Sequence, residues 1–370
     1  MMRKIFTNND FGAPGSISQT PGSALAVLQA CLIDGFGDQT PTSITRVGTT
    51  ATMILPNAHG FTRTGVFNIS GCDQADYNGE FRVTVVNSTT VTFTVANSPV
   101  TPATGTIVCR QDDAGWTMPF TDTNKAVFKQ GVASNGLYLN VDDTLSTAAK
   151  VRGYEAMTAV DTGTAPFPTV AQEDTSYWAH GNATSDWVVV ADSTFVLLWT
   201  PENSIAYNTA GAWFFGDYRT AAGTGSYNTL ISGSNLANQA YYSLLNLDAT
   251  SASGNGRWVA RDYDELGDSR AVSIVANGSM SKGASGCSSL GMDYPEPLTN
   301  NVYIQELMIF ATAGANNLIG YIDGAYSMHH QYPFGLTEHS YFAGSGAFEN
   351  EEFIYMPGTG STALVFRISE

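Results

Sequence analysis

Charge is what this sequence has least of. Only 13% of its residues are Asp, Glu, Lys or Arg, roughly half the share of about 25% usual in globular domains. Cations are the scarcer sign. Sixteen Lys and Arg stand against 33 Asp and Glu, giving a net charge of −17. No Lys or Arg occurs between Lys282 and Arg367. Residues 1–37 balance Arg3 and Lys4 against Asp10 and Asp34, residues 38–114 carry four basic and six acidic groups, and residues 115–370 carry ten and 25. Nucleic-acid binding needs cations to neutralise phosphates, so nucleic acid is excluded as an expected partner. An anionic lipid surface is disfavoured for the same reason. Thr, Ser, Asn and Gly supply the polar surface instead, as in many β-rich proteins that work outside cells or on particles.

Motifs are also missing. The four cysteines, Cys31, Cys72, Cys109 and Cys287, form no CxxC pair, so no zinc or thioredoxin-like motif is present. Cys72 and Cys109 border one β-rich stretch and could meet across it, but four buried reduced thiols are the simpler expectation for a chain this long. No apolar run approaches the roughly 20 residues that span a bilayer. MMRKIF lacks an apolar core and cleavage site, so the expectation is a soluble protein made in the cytoplasm, with no membrane insertion. GASGC at Gly283 and GTGST at Gly358 do not fit the GxSxG of a hydrolase. There is no phosphate-binding GxxxxGK[ST] and no dinucleotide glycine triplet after a strand. No catalytic residue and no cofactor is expected.

What is present is β pattern. From Thr42 to Val108, β-branched runs (Ile44–Val47, Ala51–Leu55, Val66–Ser70, Phe81–Val86, Val91–Val95, Thr106–Val108) alternate with turn signals at His59-Gly60, Asn78-Gly79 and Asn87-Ser88. Short runs bounded by Gly, Asn and Pro signal strands and hairpins. Before them, TPGSALAVLQACLIDGFG predicts a helix. Thr20 or Ser23 would cap it, Gly35 would stop it, and Leu25, Leu28 and Leu32 would share a face. After Trp116 the chain is strand-rich again, with a hairpin expected at Trp187–Trp199, buried on both faces around Ala191-Asp192-Ser193. Residues 219–256 and 262–301 read as loops, the first around a possible strand YYSLLNL, and a weak helix is possible over Ala148–Met157. The expected fold is mainly β: a β-sandwich or jelly-roll-like body with one N-terminal helix and an inserted small all-β domain. Its parts are an arm and helix over 1–37, the insertion over 38–114 and the main domain over 115–370. Removing Asp38 to Ala114 and joining Gly37 to Gly115 should then leave a foldable protein.

Four groups of residues carry possible chemistry. His329, His330 and His339, with Glu338, are one weak metal candidate, although adjacent strand histidines point to opposite faces. Asp262, Asp264 and Asp268 in DYDELGD are another. Leu266 and Ser273 stand where a calcium loop needs oxygen ligands, and Arg261 and Arg270 flank it. A solvated turn is the ordinary reading, and no metal is expected. Asp142-Asp143 and Glu173-Asp174 have the residue types of a glycosidase pair, but neighbours in sequence do not place two carboxyls across a sugar. Trp178, Trp213 and Tyr241, if exposed, could stack on sugars.

The segments RKIFTNNDFGAPGSISQTPGSALAVLQACLIDGFG, GWTMPFTDTNKAVFK, KVRGYEAMTAVDTGTAPFP and WVVVADSTFVLLW together resemble a family of tailed-bacteriophage virion structural proteins that begin near KIFTSADTGAP. The β stretch of residues 38–114 resembles a small Ig-like or barrel-like module of phage tail and fibre proteins. The resemblance implies a non-enzymatic virion component on the tail, baseplate, neck or head exterior. Its partners would be copies of itself and other virion proteins. It transfers no catalytic residues. Assembly contacts are expected from the arm and helix, through Phe6, Phe11, Leu25, Leu28 and Leu32. The alternative is an adhesion protein that recognises a host-surface glycan or protein.

Overall fold

The computed structural model describes residues 2–61, 64–180, 186–201, 210–221, 225–234, 256–262, 266–276, 304–311, 317–328, 341–344, 348–349, 351–357 and 363–368. The fold is mainly β, with antiparallel sheets and one N-terminal helix. Strand β1 (Lys4–Thr7) opens the chain, followed by α1 (Ser23–Gln29), which runs on through a π turn at Ala30–Asp34. Leu28 and Leu32 are buried and Gly35 ends the helix with a positive φ, as the pattern predicts. The cap differs. Gly22 occupies the N-cap, and the Asp143 carboxylate, 118 residues away, accepts the Leu25 N–H at 3.0 Å.

Seven strands then form one sheet: β2 (Phe36–Gln39), β3 (Ser43–Val47), β4 (Thr50–Ile54), β5 (Thr64–Cys72), β6 (Gly79–Asn87), β7 (Thr90–Thr94) and β8 (Gly105–Gln111). Their order is β2-β8-β5-β6-β7-β4-β3. Alternation explains the curl. One face of each strand is buried, as in β4 with Ala51 and Met53, and it closes over a separate core of Ile44, Phe67, Ile69, Tyr77, Val91 and Phe93. The Ala103 N–H donates to Ile44 O at the open edge. Entry strand β2 and exit strand β8 pair, with Phe36 opposite Gln111, so the chain leaves the unit beside where it entered.

The body has two sheets. The smaller contains β9 (Thr117–Asp122), β10 (Lys125–Lys129), β11 (Tyr138–Asp142), β12 (Ala148–Ala159) and β13 (Thr162–Phe167) in meander order, with β14 (Tyr177–Ala179) beside β12. Strand β12 replaces the helix considered over Ala148–Met157, because Val151 and Gly153 pair in register with Val141 and Leu139. The larger sheet has 13 strands among the described residues. It begins with β1, β15 (Val188–Ala191), β16 (Phe195–Pro201) and β17 (Ala210–Asp217). Strand β18 (Arg219–Thr220) lies off this path. The path continues through β19 (Thr229–Ser232), β20 (Arg257–Val259), β21 (Arg270–Ala276), β22 (Ile304–Ala311) and β23 (Leu318–Met328). It ends with β26 (Ala363–Arg367), β25 (Glu352–Pro357) and β24 (Tyr341–Ala343). Strands β18, β19 and β21 fall in the stretches read as loops, where short apolar runs sit among Gly and Ser. YYSLLNL lies outside the described residues.

The expected hairpin is β15–β16, with Ala191 opposite Val196. Val189, Val196, Leu198, Trp213 and Phe215 enter a core shared with α1 and the smaller sheet, while Val188, Leu197, Trp199 and Phe214 enter a second core against Ile309, Ile354 and Phe366. Burial on both faces is why these strands read as unbroken apolar runs.

Candidate functional site

A convergence of buried polar groups lies where β1 runs between the seven-stranded unit and the body. Strand β1 pairs with β15 and forms one end of the large sheet. Period two sorts its side chains. Ile5 enters one body core and Phe6 the other, where it packs against Phe36 with ring centroids 5.9 Å apart. Lys4, 1% exposed, directs its ammonium to Glu80 Oε1 at 2.8 Å, Asp112 Oδ2 at 2.7 Å and the Asp113 carbonyl. A buried cation is tolerable only with such partners. Arg3, next to it, goes the other way. It donates to Arg367 O at 2.6 Å, pairs with Asp323 and lies over the rings of Phe195 and Phe366.

The backbone of β1 is held as well. Arg82 donates to Arg3 O at 3.0 Å and Gln111 to Ile5 O at 2.7 Å, both from the seven-stranded unit. Asp10 accepts the Thr7 N–H at 2.8 Å. Beyond it, the Phe11 N–H donates to His59 O, and Gly60, at a φ of +83°, lets this loop lie against the Asn9 carbonyl. A side chain there would meet that backbone.

Burial sets the electrostatics of this seam. It raises the Asp10 carboxyl to about 7, against partial relief from the Thr7 hydrogen bonds. Burial also raises Asp113. For Glu80, burial and a hydrogen bond shared with Asp112 raise the carboxyl. At Asp112 burial opposes ionisation, but bonds from Glu80 and Lys4 outweigh it and hold the group low. His59 is lowered by burial. No nucleophile with a general base is assembled in this seam. Its groups fasten.

The residues expected to mediate assembly separate here. Phe6, Leu28 and Leu32 are fully buried in the chain's own core and cannot face a partner, a correction that follows from β1 and α1 packing inward. Phe11 is 37% exposed and Leu25 half-buried, so of the five only these two are accessible at the surface of the chain. Asp262 is engaged by Arg270, and Asp268 is exposed. Asp264, His329, His330 and His339 lie outside the described residues. Among the described residues no three His, Cys, Asp or Glu are placed to hold a metal.

Three of the four paired acids are taken up internally, and Asp174 is exposed. Asp142 bonds Thr144 and Lys125, and Glu173 accepts from Trp258 Nε1 at 2.6 Å. Asp143 is fully buried, 2.5 Å from His180 Nε2, while His180 Nδ1 has no hydrogen-bond partner. That dyad supports α1 from below. Trp178 and Trp213 are buried in the body core, so neither offers a face to a sugar, and Tyr241 lies outside the described residues. Cys31, Cys72 and Cys109 are buried free thiols.

The seam is hidden in the sequence because Lys4 and its partners are up to 109 residues apart. One signal was available: Lys4 in a lysine-poor chain, and Asp112-Asp113 at the edge of the insertion.

No family model matches this sequence, and no curated protein matches it. Among solved structures, a phage phi92 endosialidase aligns at 12% identity and a TM-score of 0.18, over 90% of this chain and 52% of its own. This chain spans about half the length of that protein, and a score that low does not mark a common fold.

Proposed function

We propose that this protein is a non-enzymatic structural component of a bacteriophage virion, built into the tail, baseplate, neck or head exterior. It assembles with copies of itself and with other virion proteins, and it carries residues 38–114 as a projecting module. The reading rests on the resemblance of the segments around β1, α1 and β15–β16 to phage virion proteins. The observation that carries it further is the seam. The chain's buried charges near the module hold one β unit on another, with Lys4 gripping Glu80 and Asp112. Mass spectrometry of purified particles and native mass spectrometry of the isolated protein test it. The expected result is presence in the particle and a defined multimer. Absence from particles together with a monodisperse monomer overturns it.

One observation favours adhesion as a second reading. Val47 and Val100 are 87% and 72% exposed. They are brought near each other by Arg46, which donates to the Ser98, Pro99 and Gly48 carbonyls. Added protein should then block phage adsorption, and Val47→Asp/Val100→Asp should lose that block. Unchanged adsorption removes this reading.

A further inference from the structure

A strand at the end of a sheet presents unpaired backbone groups that invite another strand. β1 is such a strand, and its outward groups belong to Ile5 and Thr7 and, one residue before the strand, Arg3, because alternate residues direct their N–H and C=O to the same edge. All three residues have an outward group occupied in this chain. Arg82 fills Arg3 O, Gln111 fills Ile5 O and Asp10 fills Thr7 N. Two of the three occupants come from the inserted module, and Lys4 clamps that module in place from the same strand.

We propose that the module is an edge plug: it blocks strand addition at β1, and the same edge, when released, pairs antiparallel with β1 of a second copy of this chain. The sequence of β1 fits a two-fold pair centred on Ile5. That register sets Ile5 opposite Ile5, Arg3 opposite Thr7 and Lys4 opposite Phe6, so no like charges face each other across the ladder. The pairing uses backbone hydrogen bonds and continues the large sheet from one copy into the next. It is a self-association site separate from Phe11 and Leu25, and it stands whether or not the chain belongs to a virion.

Sedimentation equilibrium on the full chain tests this. Lys4→Met/Arg82→Ala/Gln111→Ala uncaps two carbonyls and removes the clamp that holds the module over them. Its self-association should strengthen at least about tenfold over the wild-type chain, the scale of one or two uncapped buried groups. Adding Ile5→Pro removes the outward N–H without touching the bonds to β15, and it should return the variant to wild-type behaviour. Unchanged association of the folded triple variant overturns the proposal, as does association that survives Ile5→Pro. If the triple variant does not fold, Lys4→Met alone decides. Stronger association than wild type supports the plug, and equal association overturns it. Each comparison is with the wild-type chain, so failure here is distinct from absence of the protein from particles.

Discussion

The seven-stranded unit and the body are both antiparallel β structures, yet they are stabilised differently. Strands of the small unit bury one face and show the other to water, around a single core that includes Phe67, Phe93 and Tyr77. Strands β15 to β17 of the body are buried on both faces, between two cores. The small unit therefore carries its own reason to fold, while the central strands of the body depend on two layers arriving from distant sequence. The charge follows the same division, at −2 net for residues 38–114 and −15 for residues 115–370.

Substitutions can break or sharpen that contrast. The largest effects are expected from one core truncation in each region. Trp213→Ala and Phe93→Ala should each cost about 3–5 kcal/mol. Calorimetry should show Trp213→Ala lowering the body transition and Phe93→Ala lowering a separate one. A single transition moved by both would make the two regions one cooperative unit. Next is the joint itself. Lys4→Met leaves Glu80 and Asp112 confronting each other, and should cost about 3 kcal/mol by denaturant unfolding. Glu80→Gln should recover part of that loss in the Lys4→Met background.

A smaller effect concerns pH. Burial raises Asp10 from 3.8 to about 7, so the folded chain holds this proton more tightly than the unfolded one. The stability it contributes is complete below about pH 4 and is lost as pH rises through about 7. Three units set an upper bound of about 4 kcal/mol, and relaxation of the site should leave about 2. Asp10→Asn should flatten that part of the stability–pH curve and stabilise the chain at pH 8. An unchanged slope between pH 4 and 7 would assign the dependence to another group. The smallest expected effect on the body fold follows removal of the module. Joining Gly37 to Ala114 deletes Asp38–Asp113 and retains Ala114, whose N–H bonds Cys31 O in the body core. Near-UV circular dichroism of the body tryptophans should survive, with Lys4 returned to water. Its loss would show that the body needs the module to fold.

Local pattern made much of this architecture legible. The runs of residues 44–108 became β3 to β8 within a few positions, because one-sided burial writes a period of two into the sequence. The apolar run around Ala191-Asp192-Ser193 gave the hairpin. Three features were hidden because their partners are remote. β12 gains its ladder from Tyr138–Asp142, α1 takes its cap from Asp143, and Lys4 finds its carboxylates on β6 and beyond β8. Phe6, Leu28 and Leu32 show the converse. An apolar stripe reveals that a face is covered, and not whether the cover is the chain itself or a neighbour.

Arg3 and Lys4 also set an order of events during synthesis. Lys4 can close on Glu80 and Asp112 once the first third of the chain has emerged. Arg3 must wait for Asp323 and Arg367, the latter 364 residues downstream. At elongation rates of about 5–20 residues per second, that wait is about 20–70 s. The N-terminal strand is therefore fastened in stages: to the module first, to β15 about halfway through synthesis, and to the last strand only at the end.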